Sequence, residues 1–234
     1  MIRLLLAALA LPLLLVAACG PTIQTSSGRD YLAARGPVTD PAIRAAASVE
    51  PDLRFPARIA LARVVNGTLT TAPPAEMAEL GDFVRRHAAM GEWVPVSPMV
   101  HAGLHGGDRA TTEALRATAA RQHADYLLVY ELGARGHATG NTPFALADVS
   151  LIGGLLLPTR TTRATGVGAA ALIDVRNGYP YATTGTSVRL DGLARSFNGD
   201  RATRRLMDRA TADVARALLP EVDAMLRRLR AAAR

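Results

Sequence analysis

The chain contains no lysine: all 27 of its basic residues are arginine. That absence excludes a P-loop lysine, a Schiff-base lysine and a protein-kinase lysine. Cysteine occurs once, at Cys19. No disulfide can form within the chain, and the region beyond Cys19 has no thiol nucleophile and no Cys-based zinc site. Aromatic residues make up only 4% of the chain, with a single tryptophan. A core therefore has to be assembled from Ala, Val and Leu, and without disulfides it has to hold the fold alone. Neither Gly-x-Ser-x-Gly nor His-Glu-x-x-His occurs, so neither a nucleophile elbow nor a zincin helix is present.

What is there is a chain of 234 residues, 49% apolar, with a formal charge of +7. This length suits one sizeable core with appendages. The positive charge fits anionic lipid or an acidic envelope polymer as partner, or simply a solvated basic surface. A nucleic-acid partner is not expected.

Residues 1–18 have the layout of a targeting segment. Arg3 supplies the positive start, and Leu4 to Val16 form an apolar stretch interrupted only by Pro12. That stretch falls short of the roughly 20 residues a membrane-spanning helix needs. The cleavage region is Val16-Ala17-Ala18-Cys19, whose small residues before the cut suit a signal peptidase groove. These four residues resemble a bacterial lipobox, in which the cysteine becomes the acylated first residue. Acyl chains contribute about 0.8 kcal/mol per buried methylene, so two or three form a firm anchor. Gly20, rather than Asp, follows the cysteine. By resemblance to bacterial sorting rules, this implies the periplasmic face of the outer membrane.

Residues 19–56 carry turn and linker signals at Gly36-Pro37, Asp40-Pro41 and Glu50-Pro51 and are expected to be a tether. One α/β domain is expected over 57–234. Arg58 to Val65 has strand composition, closed by Asn66-Gly67. Pro73 and Pro74 fit the first turn of a helix, with Met77, Leu80, Val84 and Ala88 on its inner face. Trp93-Val-Pro-Val96 is a short strand that Pro95 assigns to an edge or a bulge. Met99 to Gly107 reads as a loop. A helix over Thr111 to His123 follows, capped by Asp108 or Thr111. The apolar run Tyr126 to Tyr130 predicts a strand buried on both faces, ending in a break at Gly133 and Gly136. This βαβαβ order predicts a layered sheet with parallel strands. Asn177-Gly178 predicts an added antiparallel hairpin between Thr165–Arg176 and Tyr179–Leu190. A long helix over 200–230 completes the chain, with Leu206, Ala210, Val214, Ala217, Leu218, Val222, Met225, Leu226 and Leu229 inward. Pro220 is expected to kink or divide it.

This order, with Arg58-Ile-Ala-Leu-Ala62, Ala124-Asp-Tyr-Leu-Leu-Val129 and Ala171-Leu-Ile-Asp-Val-Arg-Asn-Gly178, resembles the α/β domain of the curli-secretion lipoprotein CsgG and the amino-terminal domain of TolB. With Asp30-Tyr31-Leu32 and the apolar run 149–157, the chain is more narrowly similar to the rhombotail lipoproteins. The resemblance implies an envelope lipoprotein without catalytic residues. The chain departs from CsgG in one respect. CsgG inserts two long membrane-spanning hairpins, and no pair of alternating segments of about ten residues able to do that is visible here.

His101, His105 and Asp108 have the residue types of a metal site, but the glycines around them favour a polar loop, and no metal or other cofactor is expected. Gly166-x-Gly168 lacks the strand–turn–helix setting of a dinucleotide site. Asp174 is expected to serve turn chemistry. Two interaction candidates remain besides the lipidation site Cys19. One is the apolar run, represented by Leu151, Ile152, Leu155 and Leu156, which is a helix or a hairpin and either covers the sheet or docks on a partner or membrane. The other is the basic terminal helix with Arg204, Arg205, Arg227 and Arg228. The expectation is a non-enzymatic envelope adaptor or assembly factor with a protein partner. The alternative is a subunit of an oligomeric secretion or transport complex.

Overall fold

The computed structural model describes residues 41, 48–49, 52–139, 160–194 and 198–233. The chain divides into two compact units, 1–49 and 50–234, and the elements below belong to the second. Cys19 and the run 149–157, with Leu151, Ile152, Leu155 and Leu156, lie outside the described residues.

Six strands form one mixed sheet. β1 (Ala57–Val65) turns through Asn66-Gly67 into the two-residue β2 (Thr68–Leu69). Both turn residues have positive φ, 50° and 79°, the geometry that makes Asn-Gly a hairpin turn. α1 (Pro74–Arg86) and a short 3₁₀ turn lead to β3 (Gly91–Pro95), which lies parallel to β1 on its outer side. Pro95 thus sits on an edge strand, as expected. α2 (Pro98–His105) and α3 (Thr112–Arg121) precede β4 (Tyr126–Thr139), which lies parallel to β1 on the other side. β5 (Arg160–Asp174) and β6 (Pro180–Ala194) continue the sheet antiparallel. The helix α4 (Gly199–Ala232) ends the domain.

The sheet has two kinds of cover. Around β1 and the first half of β4, both faces are buried. Ile59, Tyr126, Leu128 and Tyr130 pack with Leu80 and Phe83 of α1 and with the inner face of α4. On the opposite face, Ala60, Ala62, Val64 and Leu127 pack with Leu115 and Ala119 of α3. The Ala residues let this helix layer come close. Among the described residues, β5 and β6 are covered on one face, by α4, and their burial alternates along most of their length.

Several expectations are corrected. β4 does not break at Gly133 and Gly136 but runs 14 residues. A side chain at 136 would stand 2.8 Å from Met207 and 2.9 Å from Thr203, so the glycine admits α4 rather than ending the strand. Met99 to Gly107 is no loop. Ser97 caps α2 by accepting from the Val100 amide, Pro98 opens it, and Gly106 closes it with φ of 70°; these are ordinary helix signals. α1 buries Leu80 and Phe83, while Met77 is 56% exposed. α4 is not divided at Pro220, which lies on its exposed side, where the carbonyl that proline leaves without an amide donor stays open to solvent. Its inner stripe uses Ala215, with Ala217 only half-buried. The expected antiparallel hairpin is present as β5 and β6, each 15 residues long and so longer than its sequence signal.

Candidate docking groove

The chain leaves β1 towards α1 on one face of the sheet and leaves β3 into α2 on the other. Where neighbouring strands send their connections to opposite faces, a crevice opens at their carboxyl ends. Here it is a groove of about 520 Å³ between α1 and β3. Leu61, Leu80, Val84, Trp93 and Val96 line it, and Met77 stands on its rim. Gly81 leaves the helical wall bare, for a Cβ there would meet nothing closer than 3.7 Å. Met99, 82% exposed, and Val100 follow Pro98 of the groove wall on the first turn of α2. So three of the five exposed large apolar side chains among the described residues gather at this end of the sheet.

One polar cluster closes the groove. Arg63 and Tyr130 are direct partners across β1 and β4, and Glu76 reaches them from the first turn of α1. Arg63 donates from Nε to Glu76 Oε1 and from Nη2 to Oε2, both at 2.8 Å, and from Nη1 to Thr70 Oγ1 at 2.7 Å. The Tyr130 hydroxyl donates to Glu76 Oε1 at 2.8 Å. Arg63 and Glu76 side chains are 12% and 11% exposed. Burial, reinforced by the negative Glu76, pushes the Tyr130 hydroxyl far above its ordinary pKa. The fork-to-fork pair uses both carboxylate oxygens, so the cluster has no charge left over for a ligand.

Behind the groove, Trp93 packs edge-on against Phe83, with ring centres 5.6 Å apart. His87, buried under Phe83, lies 2.8 Å from Asp223 of α4. Burial acts to raise the Asp223 carboxyl. The His87 hydrogen bond, with Arg227 and Arg86 nearby, outweighs it and holds the group below its ordinary value. These contacts tie α1, β3 and α4 into a rigid wall.

The arginines expected to act together on α4 are exposed but not assembled. Arg204 and Arg205 lie some 34 Å along the helix from Arg227 and Arg228, at about 1.5 Å per residue. Arg227 is paired with Asp223 at 2.6 Å. His101 and His105 do share a helical face, with ring centres 4.8 Å apart. They are held by Thr118 and the Arg109 carbonyl, with His101 fully buried. No cluster of three metal-ligating residues occurs among the described residues. Asp174 is buried and accepts from the amides of Arg176 and Asn177 and from the Tyr181 hydroxyl, the turn role expected of it. The groove itself escaped the sequence reading. Its signal is Trp93-Val-Pro-Val-Ser-Pro-Met-Val100, eight residues with one polar side chain in a chain poor in aromatics.

No protein-family model matches the chain, and no curated protein matches it in sequence. Solved structures do. The LpoB C-terminal domain from Salmonella enterica aligns with 56% of this chain and 82% of its own, at 13% identity and TM-score 0.32. A lipoprotein from Neisseria meningitidis aligns over 65% of this chain and 96% of its own, at 11% identity and TM-score 0.33. A minor lipoprotein from Acinetobacter baumannii covers 71% and is itself covered over 90%, at 9% identity and TM-score 0.36. At these values the likeness is one of general course and carries no residue roles to this chain.

Proposed function

We propose that the protein is a bacterial envelope lipoprotein of the CsgG and TolB kind of α/β fold. It is held at the periplasmic face of the outer membrane by acyl chains on Cys19 and works as an adaptor or assembly factor rather than an enzyme. The observation that carries the adaptor role is the groove between α1 and β3. It is apolar, its one polar cluster is internally neutralised, and exposed Met77, Met99 and Val100 extend its apolar surface. Its occupant is an apolar peptide segment of another envelope protein, since no charge in the groove is left to hold a polar ligand.

Met77→Asp places a charge on the rim without entering the core. Its expected effect is an unchanged melting temperature with loss of the protein that co-purifies with wild type. A retained partner counts against the groove. The anchor is tested separately by fractionating cells that express Cys19→Ser. Among the described residues no helix is long and apolar enough to cross a membrane, so the variant should leave the membrane pellet. A variant still in the pellet after a high-pH wash points to the run 149–157 as a second membrane element.

One observation favours the second reading, a subunit of an oligomeric secretion or transport complex. β6 is the outer strand of the sheet, and among the described residues its outer edge is unpaired over 15 residues. An edge of that length is a template for another strand. The mass of the detergent-solubilised protein decides: a large ring supports the complex, a monomer or dimer the adaptor.

A further inference from the structure

From Glu131 of β4, Ala169 of β5 and Gly185 of β6 outward, the face of the sheet opposite α4 is exposed or half-exposed among the described residues. Cross-strand register orders its side chains into rows. One row is Arg135, Thr165 and Arg189; the row beside it is Gly133, Val167 and Ser187, and beyond that come Glu131, Ala169 and Gly185. On the other side lie His137, Arg163 and Asp191. We propose that the Arg135–Thr165–Arg189 row binds a phosphate group. The inference is independent of the groove.

Three features carry it. The first is reach. Neighbouring strands lie about 4.8 Å apart, which puts the two arginine Cα atoms roughly 10 Å from one another with Thr165 between them. Both guanidinium groups can therefore converge above the Thr165 hydroxyl. The second is space. A hollow of about 620 Å³ adjoins the row on the β4 and β5 side, lined by Arg135 and Thr165 with Asn66, Glu131, Gly133, Ala134, Val167 and Ala169, while Arg189 stands opposite Thr165 on β6. The third is unbalanced charge. Arg163, one row away, is neutralised by Asp191 at 2.6 Å. Arg135 and Arg189 are exposed and have no carboxylate partner among the described residues. Glu131, the one acid lining the hollow, lies about 14 Å along the strand from Arg135. A face that is merely solvated alternates charges, as the Arg163–Asp191 row does. Two free planar forks flanking a hydroxyl match the tetrahedral oxygens of a phosphate. The phosphate belongs either to an anionic phospholipid head group or to a soluble phosphate ester.

The test uses the full chain carrying Cys19→Ser, so that acyl chains do not dominate the measurement. Flotation with phosphatidylcholine vesicles containing or lacking phosphatidylglycerol reads the lipid source. Calorimetric titration with inorganic pyrophosphate reads the soluble source. The double variant Arg135→Gln/Arg189→Gln is compared with Arg204→Gln/Arg205→Gln, which removes the same charge from α4. Binding to at least one probe should weaken by about tenfold or more in the first variant and stay near wild type in the second. The result that overturns the proposal is equal weakening in both variants, or no binding of the wild-type chain to either probe.

Discussion

Gly166 tests how the domain is held together. It lies on the covered face of β5, and a Cβ built there stands 2.5 Å from the Ala210 carbonyl oxygen and 3.0 Å from its carbon. A third contact, 3.3 Å, is with the Val214 Cβ. The obstacle is helix backbone, which no rotamer change can move aside. Gly166→Ala should therefore lift α4 off the sheet over Ala210 and Val214, residues that are fully buried. Overpacking of this kind costs about 1–3 kcal/mol. A clash with backbone belongs at the upper end, less about 0.5 kcal/mol regained because alanine suits a strand better than glycine. For a domain of this size, about 2–4 °C of melting temperature is lost per kcal/mol. Thermal and urea denaturation of wild type and Gly166→Ala measure it. A variant as stable as wild type refutes the close seating of α4 on β5. Gly81→Ala is the matched control: it sits in a helix where a Cβ makes only an ordinary contact, 3.7 Å to the Arg85 guanidinium, and should stabilise by about 0.5–1 kcal/mol.

Glu76→Ala strands Arg63 beside Tyr130 in a nearly buried site and should cost about 3–5 kcal/mol by denaturant titration; the double change with Arg63→Met should recover part of that loss. Asp223 is held below its ordinary value near 3.8, so its charged form stabilises the fold. That contribution is present above the unfolded-state value and is lost as pH falls through the lower folded value. Asp223→Asn should narrow its stability gap to wild type as the pH drops below about 4, and a constant gap contradicts the assignment. Burial raises the hydroxyls of Tyr126, Tyr130 and Tyr181, the last to about 12 with help from its hydrogen bond to Asp174. Their neutral forms stabilise the fold below the ordinary value of 10.0, and that contribution fades as pH rises past it. Absorbance titration should show three of the five tyrosines ionising late, together with unfolding.

The first half of the domain was legible because periodicity and punctuation agree there. Strand β1, the Asn66-Gly67 turn, the capped α3 and the run at Tyr126 each carry a local signal that tertiary packing does not override. Glycine caused two of the misreadings. Gly133 and Gly136 look like breakers until α4 is laid across them, and Gly103 with Gly106 and Gly107 hid a helix whose cap is Ser97. Met77 fits the inner face of α1 by spacing alone. Only the position of β3, set by register with β1, turns that flank towards a groove. The groove is assembled from α1, β3, α2 and Tyr130, which are distant in sequence and meet through strand order, a property that composition and periodicity do not encode.

The central claim is that this groove receives an apolar segment of a partner. The most direct measurement places a photocrosslinking side chain at position 77 in living cells, with and without Gly81→Leu, and at the exposed position 208 of α4 as a reference. Gly81 lines the groove and a Cβ there meets nothing closer than 3.7 Å, so a leucine at this position projects into the groove. A discrete adduct from position 77 that disappears with Gly81→Leu, and that position 208 does not give, is the predicted result. An adduct that persists with the groove filled, or that forms equally from position 208, contradicts it.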